Sequence, residues 1–304
     1  MAKKVPDYLD NLPNGTASDK VTKGCLVLEG GAFRGVYTSG VLDYFMMHDL
    51  NFECVIGVSA GALNGVNYVA GQIGRAANIN LRYRNDSRYV GPKAFVKNGG
   101  VIGFDFILGD MDNIPTLDVK RLMMGKRRFI AAASNLKTAE TNYFENNESI
   151  EKLYKGVQAS ATMPYVSKPV MIDDVPYLDG GCLSRIPYQW AIDQGFDKIV
   201  VVRTRDLAYR KKPNFEKRYR LTKRFFAKYP TFAEKIAHSH DGYNKECDEL
   251  EKLANDGRIF MISPTKPITI GRLEKNVDKL ANLYNEGLND AREYYPLLIK
   301  YLNK

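Results

Sequence analysis

Residues 24–71 state one pattern twice: a short apolar run, a glycine-bearing turn, then a helical stretch. The first run is Gly24–Gly30 (GCLVLEG), and the helix after its turn spans Gly35–Leu50. There Val36, Gly40, Tyr44 and Met47 fall on one face at helical spacing. The second run is Glu53–Gly57 (ECVIG), followed by a helix of small residues over Ala60–Gly71. Runs this short and this continuously apolar are buried on both faces. Two of them separated by a helix predict adjacent parallel strands of an α/β sheet.

The rest of the chain extends that pattern. Residues 72–115 show weak periodicity and read as a helix followed by a long loop, and Thr116–Met124 as a short helix. Arg128–Ser134 (RFIAAAS) is another buried strand, with Thr141–Phe144 expected to pair nearby and Ser149–Ala159 to form a helix. Val170–Ile172 and Val175–Leu178 flank Asp173-Asp174, a hairpin signal. Pro187 opens a helix that Gly195 ends. Lys198–Arg203 (KIVVVR) is a further strand, Phe232–Asn255 a long polar helix, Arg258–Ser263 a last strand returning to the sheet, and Glu274–Leu302 mostly helix. The expected organisation is an N-terminal extension over 1–23, a core over 24–204, and a basic, mainly helical extension over 205–304.

Composition excludes several function classes. With 44 % hydrophobic residues over 304 positions, the chain can bury a large core. No window is long and apolar enough for a transmembrane helix, and no secretory leader or lipidation motif is evident. Reduced thiols in a cytoplasm, with peripheral membrane contact as an addition, are the expected setting. The four cysteines show no metal-ligand spacing, and no metal or organic cofactor is expected. The net charge of +9 is local: Arg203–Lys228 carries eleven Lys/Arg against Asp206 and Glu216, and the remainder is near neutral. That distribution argues against a nucleic-acid surface. Phe215, Tyr219, Phe226 and Tyr229 fall near one helical face of this segment, among Lys217, Arg218, Arg220, Lys223, Arg224 and Lys228. Packing of the aromatics on the core is favoured. Contact with an anionic membrane through 210–228 is the alternative.

Three motifs carry chemistry. Gly57-Val58-Ser59-Ala60-Gly61 is GxSxG between a predicted strand and a predicted helix, the context in which a strained turn exposes a serine hydroxyl. Gly30-Gly31-Ala32-Phe33-Arg34-Gly35 leaves backbone N–H groups uncovered before a helix, donors suited to an oxyanion. Its spacing does not fit a dinucleotide fingerprint. Asp179-Gly180-Gly181 puts a carboxylate at a strand end, where a general base for the serine could stand; an ordinary Asp-Gly turn is the plain alternative. Only three histidines exist. His48 ends a helix, while His238 and His240 lie in a charged stretch and read as solvated. A Ser59–Asp179–histidine triad of the α/β-hydrolase type is the runner-up, but that fold places several strands before its nucleophile and only two precede Ser59. Trp190 and Cys182 read as packing residues.

In combination and order the three motifs resemble the patatin-like phospholipase family, and Ala159-Ser160-Ala161-Thr162-Met163-Pro164 is similar to the stretch that precedes the family's dyad aspartate. The resemblance spans residues 24–203. It implies a patatin-like three-layer α/β/α sandwich with a mostly parallel central sheet, to which 205–304 adds a helical extension. It also implies acyl-lipid ester hydrolysis through a Ser–Asp dyad of Ser59 and Asp179. Gly30, Gly31, Ala32, Arg34 and Gly35 would form the oxyanion hole, with Gly57, Gly61, Gly180 and Gly181 as motif glycines. An acyl-lipid binding protein, or an acyltransferase using an alcohol acceptor, are the other readings of the same fold.

Overall fold

The computed structural model describes residues 7–109, 111, 114–212 and 215–304, the side chains at 7, 8, 98 and 216–218 excepted. Positions 1–6 of the expected N-terminal extension, Pro213 and Asn214 of the basic segment, and the side chains of Lys217 and Arg218 therefore lie outside the described residues.

After a 3-10 turn at Asp7–Asn11 and the two-residue β1 (Gly15–Thr16), the chain forms β2 (Thr22–Leu28), α1 (Val36–Met47), β3 (Phe52–Val58) and α2 (Ala60–Val69). Next come β4 (Gln72–Ile73), α3 (Arg75–Arg82), α4 (Pro92–Asn98), α5 (Phe104–Leu108) and α6 (Val119–Met123). The middle holds β5 (Arg128–Asn135), β6 (Thr141–Glu145), α7 (Ile150–Ser160), β7 (Val170–Ile172), β8 (Val175–Asp179), α8 (Tyr188–Asp193) and β9 (Ile199–Val202). The C-terminal part is α9 (Phe215–Phe225), α10 (Pro230–Ala237), α11 (Ser239–Asn255), β10 (Phe260–Ile262) and α12 (Val277–Leu302).

The sheet runs β10-β9-β2-β3-β5, and every neighbour pair in that run is parallel. β6, β7 and β8 complete it in antiparallel pairing. Alternation along the strands makes the layers. Leu26, Leu28, Val55, Val200 and Val202 face the core shared with α1, α2 and α12. Their neighbours Cys25, Val27, Cys54, Ile56, Ile199 and Val201 face the opposite core, with Tyr188 and Ala191 of α8 and Tyr243, Cys247 and Leu250 of α11. The result is the expected three-layer α/β/α arrangement. The four cysteines are free and buried. Among the described residues no helix is long and apolar enough to cross a membrane.

α1 is buried on every side from Val36 to Met46, not on one stripe, because α12 covers the face turned away from the sheet. The two helices cross at backbone contact. A Cβ on Gly40 would lie 2.2 Å from the Tyr284 carbonyl oxygen, and one on Gly287 2.1 Å from that of Tyr37. Reciprocal bonds flank the crossing: Tyr37 donates to Asp290 at 3.0 Å and Tyr284 to Asp43 at 2.8 Å, all within the buried interface. The C-terminal part is thus packed into the core through both α12 and β10.

Three local expectations differ from the structure. Residues 72–115 contain α4 and α5 beyond the first helix, each begun after a glycine, Gly91 and Gly103. The long polar helix is two helices, α10 and α11, meeting at His238. The aromatic face of the basic segment is not continuous either. α9 ends at Phe225, Phe226 enters the core cluster of Phe232 and Ile236, and Tyr229 caps α10. The Asp173-Asp174 hairpin forms with both residues at positive φ, 48° and 59°, the twist a two-residue turn requires.

Candidate active site

The register of β5 brings the serine and aspartate motifs together. One edge of β5 pairs with β3 up to Val58, opposite Ala132. β8 then takes over the same edge, with Asp179 opposite Ala133, while β6 occupies the other edge. Ser59 leaves the end of β3 where Asp179 ends β8. The two side chains line one cavity, where the Ser59 hydroxyl acts to lower the Asp179 pKa.

Ser59 sits at φ 56°, ψ −121°, a backbone conformation that costs an L-residue energy and turns its side chain out of the strand. The motif glycines permit the turn. A Cβ on Gly57 would lie 2.5 Å from the carbonyl carbon of Gly61, and one on Gly61 2.3 Å from the Leu28 oxygen. A third group fixes the turn: the Ser59 N–H donates to Ser160 Oγ at 2.9 Å, and Ser160 Oγ donates to the Ala132 carbonyl at 2.6 Å.

Asp179 is 9 % exposed. Its N–H donates to Thr162 O at 2.8 Å, its carbonyl accepts from Ser134 Oγ at 2.9 Å, and its Oδ1 accepts from the Gly181 N–H at 2.8 Å. Burial pushes its carboxyl above the ordinary range; the Ser59 and Gly181 donors and the charges of Arg185 and Arg272 oppose that rise. Gly180 is required because a Cβ there would lie 2.3 Å from Ala132 O.

The glycine turn lines the same cavity as Asp179. Gly31 and Ala32 keep N–H groups with no acceptor among the described residues, and Ala32 adopts φ 50°. The Gly30 N–H, by contrast, donates to Arg185 O at 3.3 Å, so Gly30 lines the cavity without a free donor. Gly35 allows α2 to approach, since a Cβ there would lie 2.7 Å from the Ala60 Cβ. Arg34 is 8 % exposed, and burial together with Arg205 and Arg272 brings its guanidinium down to about 10.

Ser59 opens onto two spaces. A narrow one of about 60 Å³ is apolar, walled by residues such as Leu63, Val66, Ile79, Ile102 and Ile107. A wider one of about 280 Å³ holds Asp179, Gly31, Arg34, Arg185 and Arg272. Neither is lined by a histidine. His48 bonds Tyr44 O at 2.8 Å, His238 stacks on Phe215 at 4.1 Å, and His240 bonds Lys212 O at 3.0 Å. Sequence reasoning assigned no role to Ser160, Ser134, Arg185 or Arg272. Ser160 could have been found inside its motif stretch and Arg185 four residues after the DGG; Arg272 gives no local signal. Trp190 packs, half-buried, beside Phe196 and Tyr143, and Cys182 fills the cluster beneath α10.

Comparison with known proteins gives two family matches, patatin-like phospholipase over residues 26–192 and a domain of unknown function, DUF6363, over residues 229–303. The chain is 28 % identical over 310 residues to the uncharacterized protein YjjU of Escherichia coli K12, covering all of this chain and 86 % of that protein. The crystal structure of VipD from Legionella pneumophila is similar at a TM-score of 0.48 and 14 % identity, over 95 % of this chain and 68 % of that one.

Proposed function

The chain belongs to the patatin-like phospholipase family, and on that premise we propose that it is a serine acyl hydrolase of lipid esters, with Ser59 as nucleophile and Asp179 as general base. The observation that carries this reading is that Ser59 shares one cavity with a buried carboxylate, Asp179, and no histidine lines that cavity.

In the first half-reaction Asp179 takes the Ser59 proton as Oγ bonds to the ester carbonyl carbon. The carbonyl oxygen becomes an oxyanion facing the N–H groups of Gly31 and Ala32, with the Arg34 charge nearby. Collapse of this intermediate breaks the bond to the alcohol, which leaves with the proton held by Asp179. In the second half water gives its proton to Asp179 and attacks acyl-Ser59. The acid departs and Ser59 recovers its proton. The narrow apolar space suits the acyl chain and the wider polar space the alcohol part. Exposed Leu221 and Phe225 among the exposed Arg220, Lys223, Arg224 and Lys228 support peripheral contact with an anionic membrane.

A fluorophosphonate probe with ester turnover tests the reading. Wild type should be labelled and active, Ser59→Ala neither. Labelling that persists in Ser59→Ala would move the nucleophile elsewhere.

A further inference from the structure

The wider space beside Ser59 is lined by three arginines, Arg34, Arg185 and Arg272, and by one carboxylate, Asp179. We propose that Arg185 and Arg272 bind the head of the substrate and select lipid esters whose alcohol part bears a phosphate with net negative charge over those with a zwitterionic head. The proposal deepens the hydrolase reading above and rests on it.

The charge balance of the cavity carries the argument. Asp179, which accepts from the Gly181 N–H, is the one carboxylate among the residues that line this space, against three guanidinium groups. Glu246 lies behind the lining, where its carboxylate accepts from Ser184 Oγ at 2.8 Å and from the Arg185 N–H at 3.3 Å. Burial raises that carboxyl to about 7, which weakens its compensation near neutral pH. The Nε atoms of Arg34 and Arg185 are both buried without an acceptor. Buried cationic groups with unsatisfied donors are costly, and an anion in the cavity would offset their charge.

Arg272 is presented by a loop held in place from several sides. Its carbonyl accepts from the Phe33 N–H at 3.2 Å, Arg84 donates to Leu273 O at 2.7 Å and also to Glu274 O, and Arg205 donates to Ile268 O at 2.7 Å. This loop lies outside the patatin-matched residues and inside the C-terminal match. The C-terminal part therefore contributes to the lining of the wider space, and Arg272 adds a planar, always-charged fork to it, beside Ser59.

The competing role for these arginines is to hold down the Asp179 pKa, since both charges act on it. That effect is common to every ester the dyad attacks, so it cancels in a ratio of two substrates. The test is kcat/KM of the full chain on dihexanoyl phosphatidic acid and dihexanoyl phosphatidylcholine, both kept below their critical micelle concentrations so that no membrane surface contributes. Wild type should favour the phosphatidic acid by about tenfold to a hundredfold, the worth of one or two charge-assisted hydrogen bonds. Arg185→Gln with Arg272→Gln should bring the ratio near unity, and the Lys/Lys pair should keep part of it. Equal rates in wild type with Ser59 labelled by fluorophosphonate would overturn this proposal alone, as would a ratio unchanged in the Gln pair. Competition by inorganic phosphate without any head-group preference would assign the arginines to a free anion and also overturn it. No hydrolysis of either lipid together with no labelling of Ser59 would overturn the hydrolase reading and this proposal with it.

Discussion

Val58 and Asp179 lie against consecutive residues on one edge of a single strand, Val58 opposite Ala132 and Asp179 opposite Ala133. The pairing switches from a parallel to an antiparallel partner at that step, so two motifs 120 residues apart in the chain meet at neighbouring strand ends. The proposed dyad stands at strand ends and should tolerate loss of either side chain without loss of fold. Ser59→Ala and Asp179→Asn should each remove most ester turnover while melting close to wild type. The double variant should be little worse than either single one, because members of one catalytic unit are not additive. His238→Ala with His240→Ala should remain active. Loss of turnover in that folded pair would instead favour a histidine triad.

Ser160 should prove to be a positioning residue for the serine turn. Its hydroxyl accepts from the Ser59 N–H and donates to Ala132 O. Ser160→Ala leaves a buried N–H unsatisfied, a loss of about 1–3 kcal/mol. Because Ser59 is strained, part of that loss should appear as displacement of the hydroxyl, lowering kcat more than it raises KM. Ser160→Thr should restore part of kcat by returning the hydroxyl. A variant with wild-type kcat and only a lower melting temperature would reduce Ser160 to a stabilising contact.

The pH profile follows from the environment of Asp179. As the proposed general base, Asp179 must be ionised, so kcat/KM should rise with pH through its pKa, which burial places above the ordinary range of about 3.9. Arg185 and Arg272 hold the value down. Their replacement by Gln should therefore move the acidic limb to higher pH on every substrate, phosphate-bearing or not. A limb that disappears in the His238/His240 variant would report imidazole instead.

The parallel half of the fold was legible because each strand is a continuous apolar run and each turn carries its glycines, local signals that need no tertiary information. The Asp173-Asp174 hairpin was legible for the same reason. The break at His238 was not, since Ala237, His238 and Ser239 contain no glycine or proline and a polar helix offers no periodicity to interrupt. α1 looked one-sided because the helix that covers its other face, α12, lies some 240 residues downstream in the chain. The motif residues that the fold gathers around one cavity, Ser59, Asp179 and the glycine turn, were each marked by a local pattern in the sequence. Gly30 shows the limit: a glycine marks where the backbone comes close, but only the fold reveals that its N–H is given to Arg185.

Lys211 should make stability depend on pH. It is 9 % exposed, its Nζ has no hydrogen-bond acceptor, and it lies 3.7 Å from the centre of the Tyr243 ring. Burial, followed by the Arg185 charge, lowers its pKa from 10.5 to about 5. Between those values the folded chain binds fewer protons than the unfolded chain, so this group makes stability rise with pH across that window. Glu246, raised to about 7, acts in the opposite sense below that pH and is present in both proteins compared. Lys211→Met keeps the stem and removes the amine. It should melt above wild type at mildly acidic pH, with the gap closing as pH approaches the ordinary lysine pKa of about 10.4. A gap that is absent, or that widens with pH, would mean the amine is charged and compensated in the fold.

The basic segment divides its aromatics between core and solvent, and that division decides what it can contact. Phe226 is buried with Phe232 and Ile236, and Phe215 stacks on His238, so these rings hold α9 to the domain. Leu221 and Phe225, one helical turn apart, remain 46 % and 55 % exposed. Arg220, Lys223, Arg224 and Lys228 are exposed around them. Phe225 also meets Tyr165, which lines the wider space beside Ser59, so the exposed pair stands near the mouth of the site. An apolar pair ringed by cations can insert shallowly at an anionic interface, with attraction screened over about 8 Å at physiological ionic strength. Binding should therefore be weak, salt-sensitive and selective for anionic vesicles over zwitterionic ones. Vesicle co-sedimentation should show it for wild type at low salt and lose most of it in an Arg220→Glu/Lys223→Glu/Arg224→Glu/Lys228→Glu variant. Leu221→Ser with Phe225→Ser should weaken binding while leaving its salt dependence. Equal sedimentation of wild type and the charge variant, or none by wild type at low salt, would leave the segment as packing alone.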